Sequence, residues 1–290
     1  MNHNEITAII VTFKSEKVIF QCLKSINSIK RIIIFDNSSD LELKKKVLLK
    51  FPKVQFIVSS SNFGYGKANN VMLKMIKTKY VIILNPDAII TNKCISKLLN
   101  LAKNLNNKFS IIAPSVQGKK KNYGFFIKKQ GIKKPVNKFF FEVDFVKGFA
   151  MFINLRKIKN IGYFDENFFM YLEEIDLCKR LKDNKEKIFV LLDAESRHQG
   201  GKSSNIGFEF ELNRNWHWMW SKLYYSSKHS GFLTARVLAT PELLKLFFKT
   251  LFYIIFFNQK KLTIYLVRLA GLFASYCNLK SYYRPKFNVK

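Results

Sequence analysis

Tyr80-Val-Ile-Ile-Leu-Asn-Pro-Asp-Ala88 is the stretch that decides the fold of this chain. Val81 to Leu84 form an unbroken apolar run, the pattern of a short strand buried on both faces of a mostly parallel sheet. The run stops at Asn85-Pro86, because proline has no N–H to give to a ladder. Asp87 is left just beyond the strand's carboxyl end, where open α/β sheets bind their ligands. A carboxylate there suits a hard divalent cation that keeps waters and bridges substrate phosphates. By itself the stretch also reads as a strand-ending turn whose Asp caps a helix over Asn92–Asn104.

Upstream, Ile6–Phe13 is a β-branched apolar run and the expected first strand. Val18, Cys22, Leu23 and Ile26 recur at helical spacing within Ser15–Ile29, and Arg31–Phe35 returns to a strand ending in Asp36-Asn-Ser-Ser39. A helix over Leu41–Leu49, a strand over Val54–Val58, a glycine-bearing loop over Ser59–Gly66 and a helix to about Lys77 follow. Strand and helix alternate at βαβ spacing, which predicts an α/β chain with a parallel, doubly wound sheet and flanking helices. The carboxyl ends of such strands share one edge, so Thr12, Asp36-Asn37 and Asn85 to Asp87 are expected to converge there.

Downstream the alternation weakens. Lys119–Lys138 reads as an exposed loop or hairpin near that edge, and Phe139–Ile153 as strands with Gly148 at a close approach. Leu172, Ile175, Leu177 and Leu181 predict a helix carrying Glu173, Glu174 and Asp176 in its first turn. Acids favour that position through the helix dipole alone, whatever else they do. A short strand is expected over Phe189–Leu192, then a flexible loop, Ser196–Ser204, holding His198. A single His in such a loop is more often structural than a ligand. Its Gly-Gly-Lys-Ser tail is no phosphate-cradling P-loop, since the earlier glycine is missing.

The totals bound the partners. The chain has 290 residues, 48% of them apolar, and 29 Phe, enough for a core and against disorder. A formal charge of +30 calls for a polyanionic neighbour, whether nucleic acid, phosphate-rich substrate or an anionic membrane face, although much of the Lys can be plain solvated surface. Cys22, Cys94, Cys178 and Cys277 share no ligand-type spacing, so reduced thiols in a cytoplasmic protein are expected. Met1 to Glu5 show no basic region leading into an apolar one, hence no expected signal peptide.

From about Asn213 the composition changes: Trp216, Trp218 and Trp220 alternate with His217 and Met219. After Gly231 there are ten Lys or Arg and one acid, Glu242. Pro241–Phe257 and Leu262–Leu279 are apolar helical patterns interrupted by Lys245, Lys249 and Arg268, short of the ~20 apolar residues a spanning helix needs. Basic helices with aromatic faces fit the membrane interface. A buried helical cap is the other reading.

Taken in order, these residues resemble a known family. Ile9-Ile-Val-Thr-Phe13, Asp36-Asn-Ser-Ser39, Asn62-Phe-Gly-Tyr-Gly66 with Asn69, and Leu84-Asn-Pro-Asp-Ala88 look like family 2 glycosyltransferases. Gly162-Tyr-Phe-Asp-Glu166, Phe169-Met-Tyr171, Glu173-Glu-Ile-Asp-Leu-Cys178 with Arg180, and His198-Gln-Gly-Gly-Lys-Ser203 narrow the likeness to the rhamnosyltransferase-like branch that builds bacterial surface polysaccharide. The resemblance spans roughly residues 6–230. It implies a GT-A nucleotide-diphospho-sugar transferase fold over 1–230, while the composition of 231–290 predicts an amphipathic, membrane-associating tail.

Residue by residue, the resemblance places Thr12, Phe13, Asp36 and Asn37 on the base and ribose of a nucleotide-sugar. Asn62, Gly64, Asn69, Asn85 and Gly148 would line the same donor pocket. Asp87 would bind Mg²⁺ or Mn²⁺ on the diphosphate, with His198 completing the metal or diphosphate site. Asn85 stands where the family's first Asp is usual. Glu173-Glu174 replaces the usual Glu-Asp pair, which puts Glu174 at the base position and leaves the choice within the pair open. Asp176, Trp216 and Trp218 would meet the acceptor.

An inverting transfer needs one carboxylate to take the acceptor proton and a metal to neutralise the leaving diphosphate. No Gln-x-x-Arg-Trp motif of processive synthases is present, so single-residue addition is expected. The implied partners are a nucleotide-diphosphate sugar, a lipid-linked saccharide acceptor and an anionic membrane surface, at the cytoplasmic face of the cell membrane. Two alternatives stay open. A nucleic-acid-binding protein would explain the charge but not the ordered acidic motifs, and an inactive scaffold would explain Asn85 and Glu174.

Overall fold

The computed structural model describes residues 3–118, 121–126, 139–198 and 207–284. Its first half follows the predicted alternation. Strand β1 (Ile6–Thr12) is buried along its whole length, and α1 (Glu16–Ser25) leads to β2 (Arg31–Asp36). Helix α2 (Leu41–Lys50) starts where the Asp40 carboxylate accepts from Leu43 N at 2.8 Å, and β3 (Gln55–Val58) follows. Then come α3 (Gly64–Met75), β4 (Tyr80–Leu84), β5 (Ala88–Ile90) and α4 (Asn92–Asn104). Thr91 caps α4 by accepting from Cys94 N at 3.1 Å, so Asp87 is not the cap of that helix.

The second half contains β6 (Ile111–Val116), β7 (Tyr123–Gly124), β8 (Phe140–Val143), β9 (Phe145–Val146) and β10 (Ala150–Asn154). Helices α5 (Leu155–Ile161) and α6 (Glu173–Asp183) precede β11 (Ile188–His198), and α7 (Phe208–Ser230), α8 (Phe232–Ile255) and α9 (Gln259–Tyr276) end the chain. The main sheet runs β3-β2-β1-β4-β10-β6-β11-β5, with β8 also on β11. Strands β3, β2, β1 and β4 are parallel, as their crossover helices require. Strand β10 then inserts antiparallel between β4 and β6.

Period-2 alternation divides the buried side chains between two sheet faces. Ile6, Ala8, Ile10, Ile82 and Leu84 pack with Leu23 and Leu98 on one side. Ile9, Val11, Val81 and Ile83 pack with Met72, Leu177 and Leu181 on the other. Both faces of β4 are therefore apolar, which is why its sequence is continuous rather than alternating.

Two predicted features differ. The sequence predicts a strand of four residues at Phe189 and a loop from Ser196, but β11 continues to His198. A register shift between Leu191 and Glu195 lets the strand pass the polar break at Leu192-Asp193, which hides the extension from a pattern reading. Helix α8 begins nine residues before Pro241 and carries that proline inside it. Of the loop expected over 119–138, Tyr123–Gly124 pairs with β9, and residues 119–120 and 127–138 lie outside the described residues, as do 199–204.

The chain divides into two compact units. One holds residues up to Asp165 together with Glu174–Ser204. The other holds Glu166–Glu173 and the chain from Asn205 onward, so it takes in α7 as well as the helices beyond Gly231. In this second unit Met219, Leu223, Ala235, Leu246 and Leu272 form one apolar cluster. Gly271 lets α9 approach α7 closely: a Cβ there would stand 2.4 Å from the Trp216 carbonyl oxygen. No described helix is long and apolar enough to cross a membrane.

Candidate active site

Strands β1 and β2 end in register, with Thr12 opposite Asp36. Thr12 Oγ1 donates to Asp36 Oδ1 at 2.8 Å, and Asp36 also accepts from Ser38 N at 3.0 Å and Asp40 N at 2.9 Å. The Asp36 carboxylate thus shapes its own turn, and its residue is fully buried. Lys14 (φ 49°) and Ser39 (φ 57°), both left-handed, bend the chain away just after these strand ends. Half-buried Phe13 starts the first of these turns, its N–H donating to Ser15 Oγ at 3.1 Å.

Asn37 grips the next loop from both sides of its amide. Its Nδ2 donates to Gly64 O at 3.0 Å, and its Oδ1 accepts from Phe63 N at 2.9 Å. Asn62 Oδ1 accepts from Gly64 N at 2.9 Å. Gly64 has φ 77°, which glycine adopts without steric cost. Asn69 donates to Tyr65 O at 3.0 Å, while its buried Oδ1 has no hydrogen-bond partner. Thr12, Asp36 and Asn37 thereby meet at one edge, as the strand ends predict, and Asn37 ties Phe63 and Gly64 to it.

Asn85 N donates to Phe149 O at 2.8 Å, and Asn85 O accepts from Ala88 N at 3.0 Å, closing the turn that carries Asp87. The side chain of Asp87 is fully buried, and neither of its oxygens has a hydrogen-bond partner among the described residues. Strand β5 pairs with β11 so that Ala88 lies opposite His198. His198 Nε2 consequently stands 3.3 Å from Asp87 Oδ1. Buried acceptors with open lone pairs are costly, so this carboxylate is arranged for a positive partner. Among the described residues no group of three or more His, Cys, Asp or Glu could cage an ion. One carboxylate and one imidazole fit a hard divalent cation that takes its remaining ligands from phosphate and water. Beneath the turn, burial and the Asp87 charge push the Cys22 thiol up to about 12, so it stays protonated.

Glu174 lies in the first turn of α6. Burial raises its pKa above the ordinary carboxylate range, opposed by the N–H groups of Glu174, Gly148 and Ile175 and by Lys147. Its Oε2 accepts no hydrogen bond from the described residues. A Cβ on Gly148 would meet Glu174 Cβ and Cγ at 3.4 Å, ordinary contact, so the approach is close without demanding glycine. Glu173 is 5% exposed. Tyr171 (φ 71°) and Leu172 (φ 67°) precede the pair in the left-handed region, a strain of about 1–3 kcal/mol each.

Asp176 is fully buried and paired with Arg180 at 2.9 Å. Arg180 in turn holds the carbonyls of Gly162 and Tyr163. Asp176 therefore braces that turn. The tryptophans alternate in sequence but lie on helix α7, where residues four apart share a face. Trp216 is 1% exposed against Tyr282 and Tyr283, whereas Trp218 is 42% exposed with its edge against Tyr171. Two residues at the edge were not singled out from sequence. Tyr65 Oη donates to Gly148 O at 2.6 Å, and the Phe149 ring stacks on His198. Tyr65 belongs to the Asn62–Gly66 motif, whereas Phe149 is one Phe in an apolar run, where sequence pattern does not distinguish it.

The family model of glycosyl transferase family 2 matches residues 7–176, more than half of the chain. The chain belongs to that family. The low-salt glycan biosynthesis hexosyltransferase Agl10 of Haloferax volcanii is 28% identical over 198 residues, covering 62% of this chain and 62% of its own length. Rhamnosyltransferase WbbL of Escherichia coli K12 is 26% identical over 200 residues, covering 60% of this chain and 75% of its own. The chain thus spans about six-tenths of the Haloferax relative. The mannosyltransferase PcManGT from Pyrobaculum calidifontis, solved in complex with GDP-Man and Mn²⁺, superposes with a TM-score of 0.55 at 11% identity, over 93% of this chain and 86% of that one. The family 2 chain has the GT-A fold predicted from its motifs.

Proposed function

We propose that this family 2 chain transfers one hexosyl or rhamnosyl residue from a nucleoside-diphosphate sugar to a hydroxyl of a growing surface glycan, with inversion. The observation that carries this reading is the buried Asp87 carboxylate, open in its lone pairs and faced by His198, on the sheet edge that also gathers Thr12, Asp36 and Asn62. Thr12, Phe13, Asp36, Asn37, Asn62, Gly64 and Asn69 form the nucleotide side of the pocket. Asn85 and Gly148 flank the diphosphate and sugar.

Asp87 and His198 would hold Mg²⁺ or Mn²⁺, which supplies charge neutralisation to the leaving diphosphate. Glu174 is the general base, with Glu173 beside it. Its free Oε2 takes the proton from the acceptor hydroxyl as that oxygen bonds to the anomeric carbon. The bond from that carbon to the diphosphate oxygen breaks on the opposite face, and the electron pair leaves with the nucleoside diphosphate. A raised pKa makes Glu174 a stronger proton acceptor than an exposed carboxylate.

The acceptor is lipid-linked in this reading, and the chain works at the inner face of the cell membrane. Support comes from the exposed apolar positions of α8, among them Val237, Phe248 and Ile255, and from Phe257 just beyond it at 88% exposure, with Lys245, Lys260 and Lys261 also exposed. Not all of the predicted anchor is available: Leu246 is buried in the helical cluster, and Lys249 donates to Tyr265 Oη.

Purified chain should be incubated with a panel of nucleoside-diphosphate sugars and Mn²⁺, then with a polyprenyl-linked acceptor, and followed by mass spectrometry. One donor class should be retained and its sugar added once to the acceptor. Donor retention without transfer would identify an inactive scaffold, and retention of no donor would remove the reading altogether.

A further inference from the structure

Two predicted parts of the site, the Asp87–His198 pair and the Glu174 carboxylate, are joined by a dipeptide that neither motif contains. Gly148-Phe149 lies immediately before β10. The Gly148 N–H faces the Glu174 carboxylate, and its carbonyl accepts from Tyr65 Oη at 2.6 Å. The Phe149 carbonyl accepts from Asn85 N at 2.8 Å, fixing the turn that carries Asp87. The Phe149 ring then lies against His198, with centroids 4.3 Å apart and planes 7° from parallel.

That stack has a geometric consequence. His198 is the last residue of β11, and its side chain retains 23% exposure. An imidazole so placed turns freely about its side-chain torsions unless something fixes its plane. Phe149 is itself 5% exposed and tethered through its backbone to the Asn85 turn. One residue therefore sets the plane of the imidazole and the position of the carboxylate that Nε2 faces. Metal-binding imidazoles generally depend on such outer partners for orientation. Here the partner is a ring face, which leaves both ring nitrogens unengaged by it.

We infer that Phe149 is the positioning residue of the divalent-cation site, holding His198 Nε2 towards Asp87. The inference rests on the reading of Asp87 and His198 as cation ligands. It assigns to Phe149 no contact with substrate or cation.

The test is binding and needs no turnover. Mn²⁺ affinity in the presence of a nucleoside diphosphate is measured by electron paramagnetic resonance for the wild type, Phe149→Leu, Phe149→Tyr, His198→Ala and the Phe149→Leu/His198→Ala double variant. Phe149→Leu should weaken Mn²⁺ binding ~10–100-fold, the usual loss for an outer-partner change. Phe149→Tyr, which keeps the ring, should restore most of it. In the His198→Ala background the same Leu change should have no further effect, because its route of action is gone. A second readout avoids the variant's fold: the His198 ring protons of the metal-free wild type should be shifted by the Phe149 ring current. Equal loss in both backgrounds would make Phe149 an ordinary core residue and overturn the inference, as would unshifted His198 protons. Wild-type protein that binds no Mn²⁺ would instead sink the cation reading itself, and this inference with it.

Discussion

Nε2 of His198 stands 3.3 Å from Oδ1 of Asp87 because β5 and β11 pair antiparallel with Ala88 opposite His198. Among the described residues the carboxylate has no hydrogen-bond donor, and the imidazole is the ionisable partner it faces. Asp87→Ala should abolish divalent-dependent turnover, with kcat down ~10²–10³-fold, the scale of one lost preorganised electrostatic contact. His198→Ala should be milder. Circular dichroism should show both variants folded, and activity that survives EDTA unchanged would remove the metal role.

Glu174→Gln keeps the shape of the side chain and removes the proton acceptor. The chemical step should fall ~10²–10⁴-fold while donor affinity stays near wild type. Single-turnover kinetics separates the two. Glu173→Gln is the control, and if it proves the more damaging change the assignment within the pair reverses.

The raised pKa of Glu174 also predicts a stability trend. Burial favours its protonated form in the folded chain, so the native state binds the extra proton between the ordinary carboxylate pKa and the raised one. Stability is therefore full below the unfolded pKa and falls as pH rises through the folded one. Glu174→Gln escapes that loss. Its melting temperature relative to wild type should climb as pH rises through that window, and a pH-independent difference would contradict the buried-carboxyl account.

His217 predicts the opposite slope in the second unit. Burial, with the Arg284 charge, lowers its pKa from 6.5 to about 3. Its Nε2 donates to Tyr283 O at 2.9 Å, and Ser281 Oγ lies 3.1 Å from Nδ1, tying the segment after α9 to α7. The folded state binds fewer protons than the unfolded chain between those pKa values, so stability falls as pH drops through them. Urea midpoints followed by Trp fluorescence should decline on acidification, and His217→Gln should flatten the decline.

The exposed face of α8 makes the membrane proposal testable by point charges. Cutting the chain after Gly231 would strip α9 from Trp216 and confuse anchoring with folding. Phe248, Ile255 and Phe257 are 64%, 69% and 88% exposed, so Phe248→Glu, Ile255→Glu and Phe257→Glu together should leave the helices intact. The wild type should sediment with phosphatidylglycerol vesicles and the triple variant should not. Each Lys or Arg near such a surface contributes ~1 kcal/mol, so high salt should weaken binding only in part. Triple variant that sediments as well as wild type would place any membrane contact elsewhere.

The sequence by itself determined the parallel half of the sheet, the Asn85 to Asp87 turn, α4 over Asn92–Asn104 and the family. These follow from local signals: burial on both faces makes Val81 to Leu84 continuous, proline ends the ladder, and Thr91 caps α4. Tertiary structure alone decided that β10 enters antiparallel beside β4, that β11 runs past its register shift to His198, and that Phe149 lies under the imidazole. It also put Trp216 and Trp220 on a buried face of α7 and left Trp218 outside. The physical reason is that strand pairing and ring stacking join residues distant along the chain. Their energy depends on which sheet edge remains open once the local elements have formed, and no single segment carries that information.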